Sequence, residues 1–257
     1  MQGIRLQEMS WQDVATYLQG DDRIIIPVGS TEQHGRFAPL GTDTYVATSL
    51  AEDAASQEKV LVAPPLWFGW SPHHLVQPGT ISIRAEILLE VLFDALESLA
   101  TGGFHKFVLV NGHRLVNIPW MQIAAERAQR KLGVRIVIFD PAYMSKECTE
   151  FSEPIGHGEE IEISHLLHSR PELIRLEHAG DNPIHHKPLA NIDPKDPRDT
   201  LCYIPATVED MQKIMTKSGD TITGSPTKAS AARGKRYHEH LVKRLVTVLR
   251  TLQDERG

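Results

Sequence analysis

The chain has 257 residues, which is enough for one large α/β domain or two small ones. Its 41% of hydrophobic and 23% of charged residues are ordinary for a globular protein, so a core can form without cross-links. The net charge of −6 and the lack of a basic tract argue against nucleic acid and anionic membranes as partners.

The first residues and the cysteines bear on the location of the protein. Residues 1–20 mix charged and apolar side chains and lack the continuous apolar stretch of a signal peptide. No window of the sequence is apolar for long enough to span a bilayer. Cys148 and Cys202 have no CxxC spacing, which is typical of free thiols in a reducing compartment. We therefore expect a cytoplasmic protein.

Short runs rich in β-branched residues alternate with patterns of helical period. In chain order they predict strand 23–28, helix 44–55, strand 60–63, helix 86–100, strand 106–110, helix 118–132, strand 134–139, a long excursion over 183–205 and helix 230–253. This alternation predicts an α/β fold in which helices flank a parallel β-sheet. Ligands of such sheets bind beyond the carboxyl ends of the strands.

The first group of candidate ligands follows strand 23–28. Glu32 and His34 are two residues apart in a segment expected to be extended, so their side chains point the same way. Asp43 follows where a helix begins and can fold back over the same place. Glu32 and Asp43 could equally serve only as helix caps, because capping acids are common.

The second candidate is His113, which follows strand 106–110. Gly112 before it allows a sharp turn. A lone histidine at a strand end is commonly just a polar loop residue, but parallel strands end at one edge of a sheet. His113 is therefore expected in the same crevice as Glu32 and His34, where imidazole and carboxylate groups together favour a metal site.

The third candidate group follows strand 134–139. Glu159, Glu160 and Glu162 concentrate negative charge at a predicted helix start, beside His157. Interaction with the helix dipole explains one or two of these acids but not three. A bound cation would relieve their repulsion, and His157 between glycines suits a general acid or base.

Together these segments resemble the creatininase (creatinine amidohydrolase) family. The matching stretches are residues 27–35 (PVGSTEQHG), 39–43 (PLGTD), 64–66 (PPL), His74, 78–80 (PGT), 111–113 (NGH), 157–162 (HGEEIE) and 224–230 (GSPTKAS). They span most of the chain in the right order. The resemblance implies one domain over residues 1–257, a creatininase-like α/β/α sandwich and assembly as a homo-hexamer.

The resemblance also implies two divalent ions, Zn or Mn, bridged by Asp43. Glu32, Asp43 and His113 would hold one ion, and His34, Asp43 and Glu160 the other. A bridging water or hydroxide would be the nucleophile. Mixed imidazole and carboxylate ligands suit these metals, and two close cations can activate water near neutral pH.

Further roles follow from the resemblance and from departures within it. His157 matches the family's catalytic histidine. Many relatives have glycine where this chain has Arg114, and the segment after His34 also differs, at Arg36. We predict that Arg36, His74 and Arg114 bind substrate; surface exposure is the alternative for the arginines. The role of His73 stays open, and His185 and His186 are unassigned.

The function expected is therefore hydrolysis of a small polar cyclic amide at a C–N bond. An alternative is C–C ring opening of a cyclic polyhydroxy diketone such as an oxidised inositol, since both reactions begin with attack on a polarised carbonyl. A metal-dependent sugar isomerase and a non-catalytic binding protein are further alternatives. The departures from the family put creatinine itself in doubt as the substrate.

Overall fold

The structure is a computed structural model, and it describes residues 3–144, 151, 155–182 and 205–254. The predicted excursion over 183–205, except for its last residue, lies outside the described residues. So do His185, His186, Cys148 and Cys202.

The helices and strands alternate along the chain as predicted. In order they are α1 (Trp11–Tyr17), β1 (Arg23–Val28), α2 (Thr42–Glu58), β2 (Leu61–Val62), α3 (Ala85–Thr101), β3 (Lys106–Asn111), α4 (Ile118–Leu132), β4 (Arg135–Phe139), α5 (Pro141–Met144), α6 (Glu160–Ser169), α7 (Val208–Lys213) and α8 (Ala231–Asp254). The bounds of β1 and α4 agree with the prediction. Helix α2 begins two residues earlier than predicted, which places Asp43 in its first turn.

The strands form one parallel sheet in the order β2-β1-β3-β4. In the centre of the sheet Ile26 of β1 is paired with Leu109 of β3, and Leu109 with Ile138 of β4. Parallel neighbours require crossover connections, and helices provide them here. The predicted fold class, a parallel sheet flanked by helices, is confirmed.

Hydrophobic side chains project from both faces of the sheet. Ile25 and Val108 pack on one face against α2 and α8. Ile24 and Leu109 pack on the other face against α3 and α4. Because successive side chains of a strand point to opposite faces, a strand covered on both sides must be apolar throughout. The result is an α/β/α sandwich whose central strands, β1 and β3, end side by side.

Among the described residues, the helices are too short or too polar to cross a membrane.

Candidate metal centre

Two glycines let the ends of the central strands approach the first turn of α2. A Cβ on Gly29, which follows β1, would lie 2.2 Å from Oγ1 of Thr44. A Cβ on Gly112, which follows β3, would lie 1.9 Å from the carbonyl oxygen of Asp43. No real side chain tolerates such distances, so glycine is required at both positions. The loops after both strands are thereby brought against Asp43.

Glu32, Asp43 and His113 form the first group of possible ligands. Nδ1 of His113 lies 3.2 Å from Oε1 of Glu32 and 3.1 Å from Oδ2 of Asp43. All three side chains are buried. This is one of the two ligand sets that the family resemblance implies, and its ligand atoms are close enough together to hold one ion.

His34, Asp43 and Glu162 form the second group. Nε2 of His34 lies 3.2 Å from Oδ1 of Asp43 and 3.4 Å from Oε2 of Glu162. Asp43 therefore presents one carboxylate oxygen to each group. This arrangement fits the bridging role that the resemblance implies for it.

Three buried polar atoms of this cluster show whether its side chains fit a metal ion. Oε1 of Glu32, Nε2 of His34 and Oδ2 of Asp43 are buried, and they make no hydrogen bond to any described residue. Buried polar atoms are almost always satisfied, so such a convergence calls for a ligand. Nδ1 of His34 donates to the Glu32 carbonyl oxygen at 3.1 Å, which leaves Nε2 with a lone pair in the neutral ring. The donor set fits divalent cations.

The electrostatics of the cluster are those of a cation site. Burial acts to lower the pKa of His34, but the carboxylates of Glu162 and Asp43 outweigh burial and raise the pKa to about 9. Burial raises the pKa of Glu162, although Arg114 opposes this shift. The carboxylates of Glu32, Asp43 and Glu162 thus favour a positive charge on any group that lies between them.

The structure corrects the position of one predicted ligand, Glu160. Its carboxylate is paired with Arg233 of α8 and does not face His34 or Asp43. Glu160 is the first residue of α6, and residues two apart on a helix point to opposite sides. Glu162 therefore faces the cluster and Glu160 faces away from it. The two-residue spacing predicts that Glu160 and Glu162 face opposite sides, but this prediction can be made only when the start of α6 is known.

His157 forms a third group of possible ligands with Glu32 and His34, so it lies beside both of the first two groups. We assign a proton to Nε2, because this atom is 2.6 Å from the carbonyl oxygen of Gln33 and donates to it. Nδ1 then carries the lone pair, 3.6 Å from Oε1 of Glu32. Burial and the nearby His34 lower the pKa of His157 to about 3, so its ring is neutral at neutral pH. Its predicted catalytic role stays a prediction.

Gln33, which the sequence did not single out, orients a second histidine. Its Oε1 accepts from the backbone of Gly35 at 3.1 Å, and its Nε2 donates to Nδ1 of His74 at 3.0 Å. Nε2 of His74 consequently carries the proton and lies 3.6 Å from Oε1 of Glu32. His74 also stacks on His157, with ring centroids 3.9 Å apart.

A cavity of about 300 Å³ opens onto the cluster. It is lined by Glu32, Asp43, His73, His74, His113, Arg114, Leu115, Val116, Ile155, Gly156, His157, Glu162, Ala206, Met211 and Thr223. The lining thus combines ionisable and apolar side chains. The predicted substrate contact of His74 has a place here, and His73, whose role the sequence left open, lines the same space.

The two predicted arginine contacts are placed differently. Arg36 does not line the cavity; its side chain is half exposed, with Nε 3.3 Å from Asp220. Arg114 does line it, but its guanidinium is paired with Glu159 and Glu162. No substrate contact of either arginine is tested, so both stay predictions.

The turn after β3 holds a non-glycine residue in the left-handed region. Leu115 has φ 63°, and its backbone nitrogen donates to Oδ2 of Asp140 at 2.8 Å. The side chain of Asn111 donates to the same oxygen, also at 2.8 Å. This conformation costs an uncharged aliphatic residue about 1–2 kcal/mol. The buried carboxylate of Asp140 holds the turn that carries Arg114 and Leu115 at the cavity.

Sequence comparison gives a family and named relatives. A family model described as "Creatininase: Creatinine amidohydrolase" matches residues 7–249. A 3-dehydro-scyllo-inosose hydrolase of Thermotoga maritima is 33% identical over 189 residues, which are 70% of this chain but only 60% of that protein, less than two thirds of its length. A creatinine amidohydrolase of Pseudomonas putida is 27% identical over 238 residues, 84% of this chain and 90% of that one.

Solved structures match over nearly the whole chain. A tryptophan-to-alanine mutant of creatininase is 25% identical, with a TM-score of 0.79 and coverage of 99% of this chain and 100% of that one. Structures titled as manganese and Zn–Zn forms of creatininase give TM-scores of 0.75 and 0.74 at 24% identity. They cover 97% and 98% of this chain, and 98% of each of the other chains. At that identity these two matches show the fold.

Proposed function

The chain belongs to the creatininase family of hydrolases, and we propose that it uses two divalent ions, Zn or Mn, to hydrolyse a small polar cyclic amide. One observation carries the proposal. Oε1 of Glu32, Nε2 of His34 and Oδ2 of Asp43 converge in the interior without hydrogen-bond partners among the described residues. A pair of cations would satisfy all three atoms.

The proposed ligands are those of the first two groups. Glu32, Asp43 and His113 would hold one ion, and His34, Asp43 and Glu162 the other. Mixed imidazole and carboxylate ligands suit Zn and Mn. Two bound ions would lower the pKa of coordinated water and polarise a carbonyl group.

The remaining residues would orient the substrate and move protons. Neutral His157 can accept a proton at Nδ1 and deliver it to the leaving nitrogen. The Nε2 proton of His74 can be donated to an oxygen of the substrate. The apolar side chains of Leu115, Val116 and Ile155 also line the cavity and would limit the access of bulk water to the substrate.

A second candidate is ring opening at a C–C bond of a cyclic polyhydroxy diketone. The relative named 3-dehydro-scyllo-inosose hydrolase, at 33% identity, favours this candidate. The first step, attack of water on a carbonyl carbon, is the same for both candidates. In the C–C reaction His157 would deliver its proton to the departing carbon.

The experiment strips the protein of metal, reloads it with Zn or Mn and measures bound metal per chain. The loaded protein is then screened with lactams, formamides and cyclic ketones in heavy-oxygen water, with mass spectrometry as the readout. We expect about two ions per chain and a product that carries solvent oxygen in a new carboxylate. Release of an amine identifies C–N cleavage, and ring opening without it identifies C–C cleavage.

Two glutamates of α6 supply a matched pair of variants. Glu162→Gln should lose one ion, whereas Glu160→Gln should keep both, because only Glu162 lies beside His34 and Asp43. Failure of the wild-type protein to bind divalent ions would overturn the proposal. A product without solvent oxygen would point to an isomerase.

The family resemblance also supports assembly as a homo-oligomer, with a hexamer as the expected form. Light scattering tests this part of the proposal. A particle of 28.7 kDa, the mass of one chain, would contradict it.

A further inference from the structure

Arg114 is buried beside the cluster and bound to two acids. Its side chain is only 7% exposed, and Nη1 lies 2.8 Å from Oε1 of Glu159. Nη2 lies 2.8 Å from Oε1 of Glu162 and donates to the carbonyl oxygen of Gly156 at 3.2 Å. The guanidinium therefore joins the loop that carries His157 to the start of α6.

The two oxygens of Glu162 have different surroundings. Oε1 contacts Arg114, whereas Oε2 faces His34 at 3.4 Å and accepts from the backbone nitrogen of Gly158 at 2.8 Å. With Oε1 held in this way, only Oε2 is presented to the cluster. Glu162 is thus oriented to offer one oxygen to a cation, not two.

Glu159 fixes the arginine in turn. It contacts Arg114 through both carboxylate oxygens, at 2.8 and 3.3 Å. Its Oε2 also accepts from the backbone nitrogen of Glu162 at 3.1 Å, so Glu159 caps the helix that carries the candidate ligand. Arg114, Glu159 and Glu162 form a closed ring of contacts, which leaves the Glu162 side chain little freedom.

Glu159 offsets the charge of Arg114, so the ring keeps the single negative charge of Glu162. An arginine next to a metal ligand repels a cation, and Glu159 offsets that charge. Removing Glu159 alone would leave Glu162 as the one carboxylate of the ring paired with Arg114, and removing Arg114 alone would leave two adjacent buried carboxylates without its charge. Either Arg114 or Glu159 without the other would therefore weaken cation binding at Glu162.

We propose that Arg114 and Glu159 are positioning residues that hold Glu162 as a one-oxygen ligand of the ion at His34 and Asp43. This inference rests on the proposed function. It assigns the Arg114 guanidinium to the protein's own carboxylates instead of to substrate. Partners that orient metal ligands in this way commonly contribute about 10–100-fold to metal affinity.

The experiment compares the wild-type protein with Arg114→Gln, Glu159→Gln and the double variant. Each protein is stripped of metal and titrated with Mn²⁺ in competition with a metal-sensitive dye, and circular dichroism checks folding. Each single variant should bind one of its two ions about 10–100-fold more weakly and keep the other. The double variant should recover part of this loss, because both charges are removed together.

Two further variants support the comparison. Arg127→Gln removes an arginine of an exposed pair with Glu90 and should leave Mn²⁺ binding unchanged. If a single variant does not fold, Arg114→Lys carries the test. Lysine keeps the charge but cannot contact both carboxylates through a planar fork, so weaker binding of one ion is again expected.

The outcomes separate this inference from the proposed function. A wild-type protein that binds two ions, with equal binding by the variants and only KM raised, would make Arg114 a substrate contact and overturn the inference alone. A double variant as weak as the summed single variants would refute the idea that Glu159 offsets the charge of Arg114. A wild-type protein that binds no ion would overturn the proposed function and this inference together.

Discussion

Gly112→Ala should damage the proposed metal centre without replacing any of its ligand side chains. A Cβ at this position would lie 1.9 Å from the carbonyl oxygen of Asp43, whereas real Cβ contacts are essentially never under 3.0 Å. The loop after β3 and the first turn of α2 must therefore separate by at least about 1 Å. Metal–ligand distances tolerate only about 0.2 Å.

The expected size of the effect follows from this displacement. The loop carries His113, whose Nδ1 lies 3.1 Å from Oδ2 of Asp43, so the shift separates two proposed ligands of one ion. We expect a loss of metal affinity of at least about ten-fold. Overpacking of a buried contact costs about 1–3 kcal/mol, which lowers the Tm of a chain of this size by about 2–12 °C.

Metal titration and thermal unfolding of the metal-free protein measure the two effects separately. Gly20→Ala is the matched control, because nothing lies within 4 Å of its added Cβ and its φ is not positive. That control should change stability by less than about 0.5 kcal/mol. If Gly112→Ala bound two ions with wild-type affinity and kept its Tm, the close approach of β3 and α2 would not build the site.

Three other substitutions separate the roles of the cluster. Asp43→Ala should remove both ions, because one of its oxygens faces each group, and two tightly held ions in metal analysis would contradict the bridge. His157→Ala should keep both ions and lower kcat by about 10²–10⁴-fold, as expected for a proton-transfer group; unchanged turnover would make it structural. Gly234→Ala should lower Tm, because its Cβ would lie 1.7 Å from the carbonyl oxygen of Ser164, where α8 packs on α6; an unchanged Tm would contradict that packing.

Much of the fold could be predicted because it depends on local pattern. The apolar run of β1 is bounded by polar residues, and the period of α4 is unbroken from Ile118 to Leu132, so their bounds agree with the structure. Helix α2 begins two residues before its predicted start. Gly41 precedes this helix without a side-chain cap, so the usual sequence signal for a helix start is missing.

Only part of the candidate site could be predicted from the sequence. Glu32, His34, Asp43 and His113 are together because parallel strands end at one edge and Asp43 begins the next helix. The choice between the acids at the start of α6 requires the phase of that helix, which three glutamates within four residues do not define. The ion pairs of Arg114 could not be predicted from the sequence either, because its partners lie about 45 residues further along the chain.

The sequence by itself determined which residues lie at strand ends, because hydrophobic runs and turn residues are properties of neighbouring positions. Only the tertiary structure decided that Glu162 faces His34, that Glu160 turns to Arg233 and that Arg114 is paired with two acids. The physical reason is that a buried charge is oriented by whichever opposite charge the packing brings to it. Those partners come from segments that are distant along the chain, so the sequence does not indicate that they are in contact.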